Sequence, residues 1–448
     1  MATIGTYDPT TTAQALAQSF TAGTQQILTR QTGTATAVQK ALTSLSSALS
    51  GFQTSLSALT GVGKSLSANS ALFSDTSVAS ATATPTAAAG TYSFFVEQVA
   101  TAHKLSYSGM TDFAGTGSIT LGVGSGSFTI DLSTKATWTT RDLAAAINGA
   151  TGNTSLSASV VTTGATSELV LSSTATGAAN TISVSTSATA DTALKTKVGA
   201  APTLLSAAQD AIVHIGSSSG TAITQPGNTF NVIDGVSMTL TKAQAPGSTP
   251  VMLTVAADAS KTTSNVQAFV DAYNKLKTAI DGMVSPGDTV SGGAAGAFAG
   301  DSGVRALRDR LVSLVRGSGG TSLAVFGIIA TREGTLSVDN AKLTKALAAN
   351  PTGLDTLIGS SGATSTGIAG KLDTYLKTWT SSNGQISSRK EAVTKLQASL
   401  TDRQTSLDRQ YDSAYKRYLA QFTQLQSVQS SMSYNTSLFD ALFSSAKE

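Results

Sequence analysis

Residues 386–414, with the sequence ISSRKEAVTKLQASLTDRQTSLDRQYDSA, carry an apolar side chain at every seventh position. This first ladder consists of Ile386, Val393, Leu400, Leu407 and Ala414. A second ladder begins four residues after Leu407 and consists of Tyr411, Tyr418, Leu425, Met432 and Phe439. Alternating steps of three and four residues over several heptads are typical of a coiled-coil seam. The pattern therefore predicts a long helix that packs against another helix.

The N-terminal part of the chain shows the same spacing. Its two ladders are Leu28, Ala35, Leu42, Leu49 and Leu56, and Val38, Leu45, Phe52, Leu59 and Leu66. Proline disrupts helices because it lacks an N–H donor and clashes with the preceding turn. No proline lies between residues 10 and 84 or after residue 351. We expect the coiled-coil seam to contain Leu42, Leu45, Leu49, Phe52, Leu56, Leu59, Val393, Leu400, Leu407 and Tyr411.

The two ends of the chain also share a scarcity of charge. Charged side chains are frequent in residues 389–417, whereas Asp440 is the single charge from 418 to 446. Asp8 is the single charge among the first 29 residues. A helix that loses its charges but keeps its apolar positions is expected to be buried on more than one side. Two interpretations follow: the ends form an antiparallel pair within one monomer, or both ends are buried in a multi-subunit assembly.

Between about residues 86 and 258 the periodicity is that of strands. Apolar and polar residues alternate in SGSFTIDLS at 125–133, and short β-branched runs are separated by Gly, Ser and Thr. The segment FNVIDGVSMTLT at 230–241 predicts a hairpin. Its Asp234-Gly235 corner predicts a type I′ turn, which needs positive φ angles at both residues.

Helical periodicity returns after residue 258. Asp301 is expected to begin one helix and Asp339 to cap another, while LAVFGIIATREGTLSVD at 323–339 predicts a hairpin. Asn383-Gly384 is a turn signal just before the last helix. The order helix, β region, helix predicts an α+β multidomain fold. Both termini would build a helical coiled-coil or bundle stalk, and β-rich head domains would be inserted into it.

The composition excludes several classes of site. The 448 residues contain no cysteine and two histidines. Disulfides, cysteine-based zinc sites and three-histidine metal sites are therefore excluded within one chain. The 29 basic residues barely outnumber the 26 acidic ones, so no footprint for nucleic acid is expected. No apolar stretch suits a membrane span and no cleaved secretory signal is visible, so we expect no membrane insertion.

Two short motifs match catalytic or nucleotide sites by spacing alone. ALTGVGKS at 58–65 approximates a phosphate-binding loop, but it follows a helical heptad run instead of a strand. GSSSG at 216–220 fits a nucleophile elbow, but no helical pattern follows it. We interpret His103 and His214 as packing or hydrogen-bonding residues. The sequence therefore predicts a protein that is not an enzyme, with no catalytic, cofactor-binding or metal-binding residues.

Several blocks, in order, resemble the flagellar filament cap family, also called FliD or flagellar hook-associated protein 2. They include TAAAGTYSFFVEQVATAHKL at 86–105, VQAFVDAYNKLKTAI at 266–280 and RYLAQFTQLQSVQSSMSYNTSLF at 417–439. Residues 119–161 are similar to a repeat-like motif of flagellar hook and cap proteins. The resemblance runs from about residue 40 to the C terminus. The first 35 residues depart from it, because YDPTTTAQALAQSF stands in place of a glycine-rich, aliphatic opening.

The resemblance implies four parts in this chain. They are a terminal coiled-coil leg (1–40 plus 410–448), a helical bundle domain (41–75 plus 260–409), a β-rich head domain (86–107 plus 207–258) and a second inserted β-rich head domain (108–206). It also implies that the leg contacts the filament through apolar residues of the last helix. We expect this filament contact to consist of Tyr418, Phe422, Leu425, Met432, Leu438 and Phe439.

The resemblance further implies a homo-oligomeric plate at the filament tip that promotes flagellin folding and insertion and prevents loss of flagellin subunits. The implied partners are other copies of the chain, flagellin, hook–filament junction proteins and an export chaperone. A host surface ligand of the head domains is a further candidate. The implied location is extracellular, at the tip of the bacterial flagellum, after type III export without a cleaved signal.

Alternatives of other classes remain at this stage. One is a secreted surface adhesin whose β domains bind host or surface ligands, which would connect the protein to cell adhesion instead of motility. Another is flagellin itself or a hook–filament junction protein. The blocks FVDAYN and RYLAQF, at 269–274 and 417–422, disfavour flagellin.

Overall fold

The computed structural model describes residues 8–163, 166–287, 293–317, 322–362 and 364–444. The chain divides into two compact units. Unit 1 comprises Met1–Leu66 and Thr263–Glu448, and unit 2 comprises Ser67–Thr262. Unit 1 is mainly helical and unit 2 is mainly built of strands. The predicted α+β fold class is confirmed, with helical parts from both ends and a β-rich insertion between them.

The elements are numbered along the described parts of the chain. The helices are α1 Pro9–Thr60, α2 Thr140–Gly149, α3 Thr192–Gly199, α4 Ala259–Val284, α5 Ser302–Arg316, α6 Asn340–Ala349, α7 Gly353–Ile358, α8 Gly367–Thr380 and α9 Gln385–Ser444. The strands are β1 Asn69–Phe73, β2 Ala79–Ala83, β3 Gly90–Gln98, β4 Ala102–Met110, β5 Phe113–Ala114, β6 Ser118–Val123, β7 Gly126–Asp131, β8 Thr137–Trp138, β9 Leu156–Thr163, β10 Thr166–Thr176, β11 Ile182–Thr186, β12 Thr203–Ser206, β13 Ala211–Ile215, β14 Ala222–Gln225, β15 Thr229–Ile233, β16 Val236–Leu240, β17 Val251–Ala257, β18 Ile328–Ala330 and β19 Leu336–Val338.

The main core of unit 1 is a helical bundle. The second half of α1 supplies buried leucines and Phe52, which meet apolar residues of α4, α5, α7 and α8. Phe52 contacts Tyr273 of α4 edge-on, with ring centroids 6.3 Å apart. The buried Tyr273 hydroxyl donates a hydrogen bond to the carbonyl oxygen of Gly334 (3.1 Å), and burial raises the pKa of Tyr273. A buried hydroxyl needs such an acceptor, so this bond ties α4 to the turn between β18 and β19.

Aspartates cap two helices of unit 1 as predicted. Asp301 accepts a hydrogen bond from the backbone N–H of Val304 (2.9 Å), and Asp339 accepts one from Lys342 (3.0 Å). The hairpin predicted over 323–339 begins only at β18. Residues 323–326 form a 3-10 turn instead, because Gly327 adopts a left-handed φ of 74° that ends the turn before the strand can start.

Unit 2 contains two separate apolar cores. The first lies between a five-stranded sheet with the order β1-β17-β3-β13-β14 and a three-stranded sheet with the order β15-β16-β2. Neighbouring strands in both sheets are antiparallel. Alternate residues of β17 are buried, as expected for a strand with one face on a core.

The second core of unit 2 is formed within the stretch from β4 to β12. Its sheets have the orders β12-β4-β10-β9 and β11-β6-β7, and α2 and α3 add Leu143 and Leu194. A capping box between Thr139 and Asp142 starts α2. All of β4 pairs within this second group, including Leu105 and Tyr107.

The Asp234-Gly235 corner forms the predicted hairpin between β15 and β16, but the type I′ turn is wrong. Gly235 has a φ of 74°, whereas no described residue other than glycine has a positive φ. The pairing shifts by one residue between Phe230 and Ile233, an irregularity that a regular two-residue type I′ hairpin would not contain. Gly235 is required because a Cβ there would lie 2.6 Å from the Thr84 hydroxyl.

We expect Leu49→Ala to destabilise unit 1 by about 2–5 kcal/mol, because Leu49 is fully buried and its removal leaves a cavity. The matched control is Leu396→Ala on α9, where the side chain is 49% exposed and the cost should stay within about 0.5 kcal/mol. Urea unfolding followed by Trp379 fluorescence, in a Trp138→Phe background, reports unit 1 alone. Equal losses for both variants would contradict this packing.

Candidate partner-binding surface on the terminal helices

Helix α1 starts at a well-formed cap. The two carboxylate oxygens of Asp8 accept hydrogen bonds from the backbone N–H groups of Thr10 (3.1 Å) and Thr11 (3.0 Å). Pro9 occupies the first turn, where its missing N–H costs nothing. The hydrogen bonds from Thr11 and then Thr10 lower the pKa of Asp8, because they stabilise its charged form.

Helices α1 and α9 pack against each other as an antiparallel pair. Leu28 and Ala35 of α1 form a buried cluster with Leu400 and Leu407 of α9. Beside this cluster Gln25 and Gln404 exchange two side-chain amide hydrogen bonds, of 3.2 and 2.8 Å. The amide pair bridges two segments that lie 379 residues apart in the sequence.

Small residues line α1 toward its start. Ala13 and Ala17 are fully buried and Thr21 nearly so. The Thr21 hydroxyl donates to the carbonyl oxygen of Ala17 (3.0 Å), so its polar atom is satisfied within the helix. The distance between packed helices depends on the side chains at the contact, so these small residues favour a close approach.

The ten predicted seam residues are divided between two environments. Those that pack in or against the main bundle core of unit 1 are Leu42, Leu45, Leu49, Phe52, Leu56, Leu59 and Val393. Those that lie along the α1–α9 pair outside this core are Leu400, Leu407 and Tyr411. Tyr411 is half-buried and its ring is nearly parallel to that of Tyr415, with centroids 6.4 Å apart.

The C-terminal end of α9 extends past the start of α1. Leu28 packs in one cluster with Leu407, and Gln25 is hydrogen-bonded to Gln404. Because both helices rise by about 1.5 Å per residue and run in opposite directions, these contacts place Pro9 level with roughly residues 420–426. Every side chain from 430 to 442 is exposed, and we call this segment the overhang. It was expected to be buried on more than one side; within the single chain it is not.

The predicted filament-contact residues lie on and just before the overhang. Tyr418 and Phe422 are half-buried, while Leu425, Met432, Leu438 and Phe439 are exposed. Met432 and Phe439 expose 64% and 62% of their surface. Asp440 is the one charged residue of the overhang. A surface with large apolar side chains and almost no charge is typical of a protein–protein contact.

A bidentate ion pair anchors the first turn of α9, and the sequence prediction missed it. The Arg389 guanidinium donates to both carboxylate oxygens of Asp301, at 2.5 and 3.2 Å, and its carbon lies 5.5 Å from the centroid of the Trp379 ring. Burial acts to raise the pKa of Asp301, but hydrogen bonds from Arg389 and Val304 outweigh it and lower the pKa. Through these contacts Arg389 connects α9 to Asp301 at the start of α5 and to Trp379 of α8.

The two histidines make hydrogen bonds inside unit 2. His103 Nδ1 accepts from the backbone N–H of Ile182 (2.8 Å), and burial lowers the pKa of His103. His214 Nδ1 lies 3.0 Å from the Gly220 carbonyl oxygen, and its Nε2 lies 2.5 Å from Glu97 Oε2. These acceptors, Gly220 first, raise the pKa of His214. In the described part of the chain no three His, Asp or Glu side chains are grouped to hold a metal, and no helix is long and apolar enough to cross a membrane.

Family models match most of this chain. The model for the flagellar hook-associated protein 2 N-terminus matches residues 6–103, and that for its C-terminus matches residues 208–434. The lateral flagellar hook-associated protein 2 of Vibrio parahaemolyticus is 36% identical over 372 residues, which cover 80% of this chain and 82% of the relative. The chain belongs to the flagellar hook-associated protein 2 family. The flagellin hook IN motif matches residues 118–175, inside the second core of unit 2.

Further relatives agree with this membership. The B-type flagellar hook-associated protein 2 of Pseudomonas aeruginosa is 31% identical and covers 92% of this chain and 90% of its own. The D1-D2-D3 domains of the flagellar cap protein FliD from Escherichia coli share the fold with a TM-score of 0.59 and 27% identity. That match covers 79% of this chain and 99% of the solved chain.

One expectation about the N terminus is wrong. The first 35 residues were expected to depart from the family, yet the N-terminal family model matches from residue 6.

We expect Arg389→Gln to lower the free energy of unfolding of unit 1 by about 1 kcal/mol at neutral pH, allowing for solvent screening of this half-buried pair. Because the folded pKa of Asp301 is lowered, the stabilisation is present above the unfolded value of about 3.9 and is lost as the pH falls through the folded pKa. The difference between wild type and variant should therefore shrink in acid.

The control for this prediction is Lys395→Gln, which removes an exposed i,i+4 pair with Glu391 and should leave the unfolding curve unchanged. Both variants are compared by urea unfolding at neutral and acidic pH. A loss for Arg389→Gln that stays constant with pH would show that the ion pair is not its cause.

Proposed function

We propose that this chain caps the flagellar filament as a homo-oligomeric plate, and that it promotes folding and insertion of flagellin while preventing subunit loss. The observation that carries the proposal is the exposed, nearly uncharged end of α9 in a member of the hook-associated protein 2 family. The solved E. coli relative is itself described as a flagellar cap protein. The family is one of structural proteins, so the function requires no chemical reaction.

The composition of the overhang suits repeated docking. Charged pairs across an interface fix the register of two partners, because misplaced like charges repel each other. The overhang has Asp440 as its single charge, so its apolar side chains can shift between neighbouring sites without breaking ion pairs. A cap must move each time a flagellin subunit is inserted, and a contact of this kind allows that movement.

We propose Tyr418, Phe422, Leu425, Met432, Leu438 and Phe439 as the contact with the filament. The exposure of Leu425, Met432, Leu438 and Phe439 supports this assignment. Exposed apolar surface of this extent is costly in water and gains free energy when a partner covers it. The ten seam residues keep a separate role, which is to hold α1 and α9 in place so that the overhang is presented.

The four-part division remains a proposal, supported by separate apolar clusters in the chain. The α1–α9 pair corresponds to the leg and the main core of unit 1 to the helical bundle domain. The two cores of unit 2 correspond to the two head domains. Residues 1–7 and 445–448 of the leg lie outside the described residues. Strand β1 pairs with β17 and strand β4 pairs with β10, and we propose that the two head domains include β1 and β4 respectively.

Self-association and flagellin are the proposed partners that follow from family membership. Hook–filament junction proteins, an export chaperone and a host surface ligand are finer proposals and rest on the resemblance alone. The same is true of type III export without a cleaved signal. The filament tip is the proposed location, and electron microscopy of purified rings would give the number of subunits.

A secreted adhesin was the alternative function, and the family models and relatives above give it no support. A strain that lacks the gene separates the two functions directly. Loss of a cap releases monomeric flagellin into the medium and abolishes motility, whereas loss of an adhesin leaves cells motile but non-adherent. We expect the first phenotype.

The triple variant Met432→Ser, Leu438→Ser, Phe439→Ser should complement such a strain poorly, with flagellin released into the medium, because the apolar contact with the filament is removed. The matched control replaces three exposed polar residues of the same helix, Gln424→Ser, Gln426→Ser and Asn435→Ser, and should restore filaments. Flagellin in culture supernatants and filament length are measured, and circular dichroism checks that the purified variants are folded.

Deletion of 418–448 is the stronger form of the same test. Unit 2 should stay folded while capping is abolished, because the cores of unit 2 contain no residue of α9. Normal filaments from the deletion strain or from the triple variant would overturn the proposed contact.

A further inference from the structure

Unit 1 contains a large cavity away from the α1–α9 pair. It is bounded by α4, α5, the 3-10 turn at 323–326, the β18–β19 hairpin, α6, α7 and the start of α8. Its volume is about 1740 Å³. Sites for small molecules are typically about 300–1,000 Å³, so this cavity is large enough for a longer ligand.

The lining of the cavity is strongly basic. Eight lysine or arginine residues and three carboxylates line it, a formal excess of five positive charges. The whole chain has a formal net charge of +3, so the cavity holds more positive charge than the chain as a whole. A cleft lined by one sign of charge concentrates its field and attracts ligands of the opposite sign.

Most of this charge is not neutralised within the described residues. Lys277 pairs with Asp281 (2.5 Å) and Arg308 with Asp309 (2.8 Å), which occupies two of the three carboxylates. No ion pair is formed in the described part of the chain by the basic residues Arg310, Arg332, Lys342, Lys345 and Lys371.

The unpaired cations belong to different elements, and a hydrogen bond joins two of these elements. Lys342 and Lys345 are three residues apart on α6 and so lie on one helix face. Arg316, at the end of α5, donates to the carbonyl oxygen of Thr331 (3.0 Å), which fixes α5 beside the hairpin turn that carries Arg332. The positive charges are therefore arranged around the cavity before any ligand arrives.

The lining also includes apolar side chains. Phe326 and Leu357 contribute to it, and Val325 on the 3-10 turn is 59% exposed. A site for phosphate alone would use backbone N–H groups or arginine forks and would gain nothing from these residues. A partner that carries both carboxylates and apolar side chains would contact the basic and the apolar residues of the lining alike.

We propose that this cavity binds an acidic, amphipathic polypeptide segment of a partner protein, with carboxylates on the lysines and arginines and an apolar side chain on Val325. This interaction is separate from the filament contact of the overhang. Its affinity falls as salt rises, since ions screen charges beyond about 10 Å at 0.1 M.

The test uses the full-length protein and a fluorescent helical peptide of glutamates with one stripe of leucines, followed by anisotropy. Lys342→Glu/Lys345→Glu should weaken binding at least about tenfold, because two attractions become repulsions. The control Lys40→Glu/Lys416→Glu changes the net charge equally at exposed sites outside the cavity and should leave the dissociation constant within about twofold. Circular dichroism and Trp379 fluorescence verify folding of each variant.

Two further measurements test the contribution of the apolar lining residues and the chemical class of the ligand. Val325→Ser should weaken the peptide about threefold to tenfold and leave binding of tripolyphosphate unchanged. The peptide with glutamine in place of glutamate should not bind. The proposal is overturned by equal losses in both lysine pairs, by absence of peptide binding, or by tripolyphosphate competing fully while Val325→Ser has no effect. It is also overturned if the cavity variants dissociate the oligomer, which would make a second copy the occupant.

Discussion

The packing of α1 against α9 is the interaction on which the rest of the structure depends. It joins residues that are 379 positions apart, such as Gln25 and Gln404, and it therefore closes the chain on itself. The entropy cost of closing so long a loop grows only slowly with its length, so a modest apolar seam is enough to hold it. Once the seam forms, the start and end of the insertion are brought together as well. Within unit 2 the N–H of Ala68 donates to the hydroxyl of Thr262 (3.0 Å), and the N–H of Asp258 donates to the carbonyl oxygen of Ala68 (2.8 Å).

Local patterns in the sequence predict the elements of this fold well. Heptad spacing predicts α1 and α9, alternation predicts the strands, and Asp301 and Asp339 predict helix starts, because each signal depends on residues close in the chain. The turn at Asp234-Gly235 was predicted as a hairpin but with the wrong geometry. A register shift lies between Phe230 and Ile233, and such a shift depends on the pairing of two strands, which one segment alone does not reveal.

The candidate site was predicted only in part, and for a physical reason. The exposed apolar residues of α9 stand out in sequence because Asp440 is the single charge from 418 to 446. The ion pair of Arg389 with Asp301 joins residues 88 positions apart, and the basic cavity gathers lysines and arginines from several elements. Neither forms a run in the sequence, and the near-neutral total charge conceals the cavity. The expectation that no footprint for nucleic acid is present rested on this total charge, which says nothing about how charge is distributed.

The great length of α9 has a mechanical consequence. About 50 residues separate Arg389 from Phe439, which corresponds to roughly 75 Å of helix at a rise of about 1.5 Å per residue. A rigid rod of this length that tilts by about five degrees at its base moves its tip by roughly 6 Å, more than one helical turn. The Asp301–Arg389 pair lies near the base of this rod. By this geometry, a tilt of a few degrees at the bundle would shift the far end of α9 by about the spacing between successive turns of a helix.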